Sequence, residues 1–214
     1  MLLSEQIEVW SIRLPVEPAM LRALEAVLSE DEVRRMARYR TDDRRASAIV
    51  ARGALRVLLG KYVQLDPMLI RFSYSENGKP FLEQGDVAFN VSHSGDWVVL
   101  AFGLKRRLGV DVERIAPRTH FDDLLERCFL PKEIAQIKAA ADPLDLFFRF
   151  WVKKEAYVKA CGSTLFQALK LDFSEEMWQV LPLDIATGYA AAVVTDRPVK
   201  AVEHHSFGEA LWEN

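Results

Sequence analysis

Asp111 and Glu113 are two carboxylates one residue apart in Leu108-Gly109-Val110-Asp111-Val112-Glu113, a stretch whose apolar residues alternate. Alternation by twos is strand periodicity, so Leu108, Val110 and Val112 point into a core while Gly109, Asp111 and Glu113 share the opposite face. Like charges at that spacing repel, and a divalent cation between them relieves the repulsion. An edge strand with a polar outer face is the equally simple alternative. A third carboxylate stands in Trp151-Val152-Lys153-Lys154-Glu155-Ala156-Tyr157-Val158-Lys159. There Trp151, Glu155 and Lys159 follow at i, i+4 and i+8, which is one helix face, and the tryptophan turns that face inward. A routine surface pair of Glu155 with Lys159 is the alternative. Asp111, Glu113 and Glu155 together offer oxygen ligands with room for water and phosphate oxygens. That set suits magnesium better than zinc, because no Cys or His lies near them in sequence.

Two further stretches can handle phosphate. In Phe89-Asn90-Val91-Ser92-His93-Ser94-Gly95 a hydroxyl and an imidazole sit at a strand end beside glycine, where both can donate to an anion; a satisfied turn histidine is the alternative. Residues 34–56 contain eight arginines (34, 35, 38, 40, 44, 45, 52 and 56) and no lysine, opposed only by Asp42 and Asp43. Guanidinium forks suit bidentate phosphate contacts, although a charge run is also what a solvated helix face looks like. Residues 1–107 carry 16 basic and 14 acidic side chains, and residues 108–214 carry 12 and 17. An acidic second half facing an arginine-rich segment of the first suits an anionic ligand held together with a cation. A serine hydrolase fits poorly: Ser92 and His93 are adjacent, and no Gly-x-Ser-x-Gly elbow occurs. His204 and His205 read as an exposed polar strand end.

Positioning these groups takes a strand at 108–115 and a helix at 144–160. Helices at 121–129 and 131–141 lie between them, with Pro131 and Pro143 as helix starts. Upstream, a strand at 5–13 precedes helical stretches at 21–28 and 30–39, the second capped by Ser29. Thr41 or Asp42 caps a longer helix to about residue 65, with Ala48, Leu55, Leu58, Leu59 and Tyr62 as its buried stripe. A short strand at 70–73, an Asn-Gly turn at 76–80 and a hairpin of strands 86–91 and 97–102 around a loop at 92–96 follow. The tail offers strands at 171–173, 178–180, 189–194 and 199–204. Lys105-Arg106-Arg107 is turn-like and separates two halves of similar size, 1–107 and 108–214, each mixing helices with a small, largely antiparallel sheet.

The chain has 214 residues, 50% hydrophobic and 28% charged, with a formal net charge of −3. That is ample for a core and argues against a dedicated nucleic-acid binder. The longest apolar run, 97–102, is far short of the ~20 residues a membrane helix needs. The opening Met-Leu-Leu-Ser-Glu-Gln lacks the basic segment of a secretory signal. Cys128 and Cys161 fit neither zinc spacing nor a disulfide framework. The expected setting is the cytoplasm.

Taken together, these residues resemble the Sfp-type phosphopantetheinyl transferases, over nearly the whole chain. The motifs that carry the resemblance are Asn90-Val91-Ser92-His93-Ser94, Gly109-Val110-Asp111-Val112-Glu113 and Trp151 to Lys159, in that order, with the arginine-rich helix and Gly78-Lys79-Pro80 upstream. The resemblance implies an α+β fold of two similar α/β subdomains related by a pseudo-twofold, with coenzyme A in the cleft between them. The N-terminal one, 1–107, would carry nucleotide contacts, and the C-terminal one, 108–214, the carboxylates and the catalytic helix. It implies Asp111, Glu113 and Glu155 as magnesium ligands, manganese being a possible substitute. It implies Arg34, Arg44, Arg45, Lys79, Ser92, His93 and Lys159 as coenzyme A contacts, Glu155 as the base and Lys159 as the aid to the leaving group. The implied reaction moves the 4′-phosphopantetheine arm of coenzyme A to a serine of an apo acyl or peptidyl carrier protein. That partner would dock on apolar side chains of 115–129, with Arg114, Arg118 and Arg127 nearby.

One departure is Gly162-Ser163-Thr164-Leu165, where Thr164 replaces the second glycine of the usual Gly-x-Gly-Leu. A chain as long as both halves implies a monomer, unlike the trimeric branch with one half per chain. Two rivals use the same residues: a magnesium-dependent phosphohydrolase, and a non-catalytic coenzyme A or nucleotide-binding module. Three carboxylates with an aligned lysine favour catalysis over binding, and the resemblance favours transfer over hydrolysis.

Overall fold

A computed structural model describes residues 5–83, 85–118, 121–162 and 178–208. One sequence of elements runs through it twice. The first pass is β1 (Gln6–Arg13), α1 (Pro18–Ala26), α2 (Glu30–Met36), the long α3 (Asp42–Val63), a small hairpin of β2 (Phe72–Tyr74) and β3 (Pro80–Leu82), then β4 (Val87–Ser94) and β5 (Trp97–Leu104). The second is β6 (Leu108–Arg114), α4 (Phe121–Cys128), α5 (Pro131–Ala139), the long α6 (Pro143–Cys161), β7 (Gln179–Leu183) and β8 (Tyr189–Thr195), followed by β9 (Ala201–Ser206). Strands stand in the order β4-β5-β1 in one half and β7-β8-β6 in the other, every neighbouring pair antiparallel. The fold is therefore α+β, with a topology repeated about a pseudo-twofold.

Helix ends follow local chemistry. At the start of α6 the Asp142 side chain accepts the Asp145 N–H, Pro143 occupies the first turn, and Gly162 ends the helix at φ 63. Helix α3 covers one face of the first sheet, Leu55, Leu58 and Leu59 packing with Phe89, Leu100 and Phe102. The other face of that sheet, through Ile7, Val9, Val99 and Ala101, meets Leu108, Val110, Val112 and Val193 of the second. Helix α6 covers the outer side of the second sheet through Phe148 and Val152 against Ala190 and Ala192. Alternation along β6 thus turns its valines to the inter-sheet core and its carboxylates toward α6.

Four features add to the sequence expectations or differ from them. Strand β9 belongs to the second half in sequence yet pairs in parallel with β1, from Gln6↔Ala201 to Ser11↔Ser206, so the first sheet takes strands from both sides of 107/108. Strand β4 runs on to Ser94, leaving only Gly95 and Asp96 as the turn, so Ser92 and His93 are strand residues and not loop residues. His205 is half-buried and stacks on Trp10 with ring centroids 4.5 Å apart. Lys154 is buried, with Nζ 3.0 Å from Glu133 Oε2. The strand expected at 171–173 and the departure at Thr164 lie outside the described residues.

Candidate active site

The site forms where β4 and β6 run side by side. One edge of β6 pairs with β8, and the other edge has N–H groups that need acceptors. Side chains of β4 supply them: Asn90 Oδ1 accepts from the Val110 N–H at 2.9 Å, Ser92 Oγ from Val112 at 3.3 Å and Ser94 Oγ from Arg114 at 3.1 Å. The same two hydroxyls donate to the carboxylates between those positions, Ser92 to Asp111 Oδ1 and Ser94 to Glu113 Oε2, both at 2.8 Å. Gly109 lets α6 close on this strand, because a Cβ there would lie 1.9 Å from the Ala156 carbonyl oxygen and 2.5 Å from the Ala160 nitrogen. At this approach Lys159 Nζ reaches Asp111 Oδ1 at 2.7 Å and Ser92 Oγ at 2.9 Å.

Charge in this corner is imbalanced. Burial raises the Asp111 carboxyl above the usual range, with Lys159 pulling the other way. Burial also raises Glu113, and the Asp111 charge adds to it despite the Ser94 hydrogen bond. Glu155 is raised by burial, then by Asp111 and Glu113, with Lys159 opposing. Asp111 Oδ2 is buried with no hydrogen-bond partner. Three oxygen-bearing side chains that repel one another, one with a buried oxygen left open, fit a hard divalent cation in donor chemistry. They do not converge as they stand: among the described residues no group of three His, Cys, Asp or Glu side chains is gathered as a ready ligand set. Lys159 meanwhile holds the other oxygen of Asp111.

From this corner a cleft of two adjoining hollows, each about 240 Å³, runs toward the arginine-rich helices, the two sharing Pro80, Asn90 and Val91. Lys79 and Lys159 line the nearer hollow, and Arg35, Arg52 and His93 the farther. Lys79 Nζ donates to the Leu108 and Ala160 carbonyls at 2.9 and 3.1 Å, and burial pushes its pKa down to about 8. Desolvation in the cleft, then the Lys159 charge, lowers His93.

The arginines divide by helix phase. Arg34 is exposed and turns to Glu30, 3.5 Å away, whereas its neighbour Arg35 lines the cleft and lies over the Tyr74 ring at 5.9 Å. Arg45 pairs with Glu25 on α1 at 3.1 Å. Arg44 stands one turn before Ala48, a cleft residue, and so shares its face of α3. Arg52 and Arg56 are largely structural: both pair with Glu32, whose side chain is 2% exposed. Burial acts to raise that carboxyl, and the two guanidinium groups overcome it and hold it below the usual range. The structure thus brings Lys79, His93, Asp111 and Lys159 to one cleft and turns Arg34 and Arg45 away from it. It also gives roles to Asn90, Ser94 and Arg35, which the sequence shows only as members of a motif or of an arginine run. The polar spacing of Asn90, Ser92 and Ser94 at i, i+2 and i+4 is the signal that marks one face of β4.

Comparison with known proteins shows the family. The profile of the 4'-phosphopantetheinyl transferase superfamily matches residues 107–205, and the profile described as 4'-phosphopantetheinyl transferase, N-terminal, matches residues 12–104. The 4'-phosphopantetheinyl transferase HetI of Nostoc sp. is 32% identical, over 97% of this chain and 91% of the relative. The phosphopantetheinyl transferase of Thraustochytrium sp. is 32% identical over 73% of this chain and 61% of the relative. The 4'-phosphopantetheinyl transferase Sfp of Bacillus subtilis is 35% identical over 58% of this chain and 55% of the relative. The chain belongs to the 4'-phosphopantetheinyl transferase superfamily.

Proposed function

We propose that the protein transfers the 4′-phosphopantetheine arm of coenzyme A to a serine hydroxyl of an apo acyl or peptidyl carrier protein, releasing adenosine 3′,5′-bisphosphate. The observation that carries this reading is the Lys159–Asp111 contact, 2.7 Å long, at the inner end of a basic cleft. Phosphoryl transfer needs little covalent help from a protein, and positioning with charge neutralisation does most of the work. Lys79, His93, Arg35 and Arg44 hold the coenzyme A phosphates and nucleotide along the cleft. Asp111, Glu113 and Glu155 hold a magnesium ion, or manganese in its place, which when bound offsets negative charge on the pyrophosphate. Glu155 takes the serine proton, standing on the face of α6 that carries Lys159. Lys159 turns from Asp111 toward the departing phosphate and offsets its charge.

The carrier protein approaches residues 115–129, where Phe121 and Leu124 are partly buried on the second core and Arg114, Arg118 and Arg127 are at hand. Both halves of the cleft come from one chain, which favours a monomer. Among the described residues no helix is long and apolar enough to cross a membrane. A cytoplasmic setting follows from the carrier-protein substrates. The test is to mix the protein with coenzyme A, magnesium and a panel of apo carrier proteins and read each carrier's intact mass. A gain of one phosphopantetheine arm, lost on chelation, is expected. Coenzyme A cleaved with every carrier unmodified overturns transfer in favour of hydrolysis, and binding without any product overturns catalysis.

A further inference from the structure

We propose that Ser94 is a positioning residue for Glu113, as Ser92 is for Asp111, so that strand β4 sets the direction of both carboxylates. The inference rests on the reading that these carboxylates hold a divalent cation. A hydroxyl has one proton to give. The Arg114 N–H, 3.1 Å from Ser94 Oγ, can only donate, so the Ser94 proton is free to go to Glu113 Oε2 at 2.8 Å. The same rung recurs two residues earlier, where Ser92 Oγ accepts from Val112 at 3.3 Å and donates to Asp111 Oδ1 at 2.8 Å. Each serine thereby ties one carboxylate oxygen to the backbone of the strand that carries it and leaves the second oxygen for a ligand. The hairpin end is also pinned. The Asp96 N–H donates to Tyr189 Oη at 3.0 Å, and a Cβ on Gly95 would lie 2.4 Å from that oxygen. With Tyr189 seated there, Ser94 stays against Glu113.

The test uses the full chain with Ser94→Ala, Ser94→Cys and Ser94→Thr, and reads Mn²⁺ binding directly by electron paramagnetic resonance in the absence of turnover. Loss of a hydrogen bond that orients a ligand weakens metal binding about 10-fold or more. Ser94→Ala is expected to show that loss, Ser94→Cys a loss in the same direction because a thiol is a weak donor, and Ser94→Thr wild-type binding. In turnover, Ser94→Ala should need more metal for half-saturation while its KM for coenzyme A stays that of the wild type. Lower thermal stability with unchanged Mn²⁺ affinity in both Ser94→Ala and Ser94→Cys overturns the inference and leaves the metal reading standing. A wild-type protein that binds no Mn²⁺ overturns the metal reading, and the inference with it.

Discussion

Lys159 Nζ lies 2.7 Å from Asp111 Oδ1, so the last turns of α6 are joined by charge to a strand residue that is only 4% exposed. Removing the ammonium leaves a buried carboxylate without compensation, which is far worse than never having had the pair. Lys159→Met should lower turnover by roughly 10²–10³-fold. Its stability loss should be about 1–3 kcal/mol, less than for a fully buried pair because the lysine side chain is 29% exposed. Adding Asp111→Asn should return most of the stability and none of the turnover. Urea midpoints and carrier mass read the two effects separately. Full stability in Lys159→Met alone would mean that this contact does not balance the Asp111 charge.

Glu155→Gln addresses the base. Turnover should vanish while coenzyme A still binds, because the phosphates and nucleotide are held elsewhere in the cleft. Stability should move the opposite way. The Glu155 carboxyl is raised in the folded protein by burial and by Asp111 and Glu113, so the unfolded chain loses that proton at lower pH. The group therefore becomes a burden as pH rises, and replacing it relieves the burden. In metal-free buffer Glu155→Gln should melt above the wild type at neutral pH, with the gap closing toward acid. A gap that is absent, or that widens toward acid, would contradict the assignment of Glu155 to a buried acidic cluster.

How much of this was legible in the sequence depends on the range of the interaction. Alternation at Leu108, Val110 and Val112, and the i, i+4, i+8 spacing of Trp151, Glu155 and Lys159, are local, so the faces carrying the carboxylates and the lysine could be read without a structure. Whether an arginine faces the cleft depends on a helix phase of 100° per residue, which separates Arg34 from Arg35 and Arg44 from Arg45. An arginine count carries no such phase. The Glu32 cluster with Arg52 and Arg56 closes over 20 and 24 residues. Strand β9 reaches β1 across nearly the whole chain, from Ala201 to Gln6, and His205 finds Trp10 only through that pairing. Ser94 reads as part of a turn because Gly95 follows it. Its tie to Glu113 depends on β4 lying beside β6, and nothing within either strand announces its neighbour.

Gly109 and Gly78 should behave very differently when each is replaced by alanine. At Gly109 the added Cβ meets the Ala156 carbonyl oxygen at 1.9 Å, a backbone atom that can yield only if α6 lifts from β6. A loss of about 3 kcal/mol or more is expected. Turnover should fall too, because lifting α6 withdraws Lys159 from Asp111. At Gly78 the residue has φ +78 but nothing lies within 4 Å of a Cβ, so only the left-handed backbone resists, for about 1–2 kcal/mol. Urea denaturation of both variants decides the matter, and equal losses would mean that α6 does not sit this close to β6.

Lys79 gives the clearest dependence on pH. Its amine is enclosed by the Leu108 and Ala160 carbonyls, and burial lowers its pKa from 10.5 to about 8. Below about 8 the ammonium persists in both folded and unfolded chains and the burial penalty is complete. From there up to 10.5 the folded protein sheds its proton first, so the penalty fades and the wild type gains stability relative to Lys79→Met as pH rises. Binding should run in the opposite sense, since a neutral amine has nothing to offer a phosphate beyond a hydrogen bond. Calorimetric titration of coenzyme A at about pH 7 and about pH 9 should show weaker binding at the higher pH for the wild type. Lys79→Met should bind more weakly at the lower pH and change little between the two. A wild-type affinity that does not fall across this range would mean that Lys79 serves the junction of β6 and α6 alone, and that the phosphate charge is met by His93 and the arginines of α2 and α3.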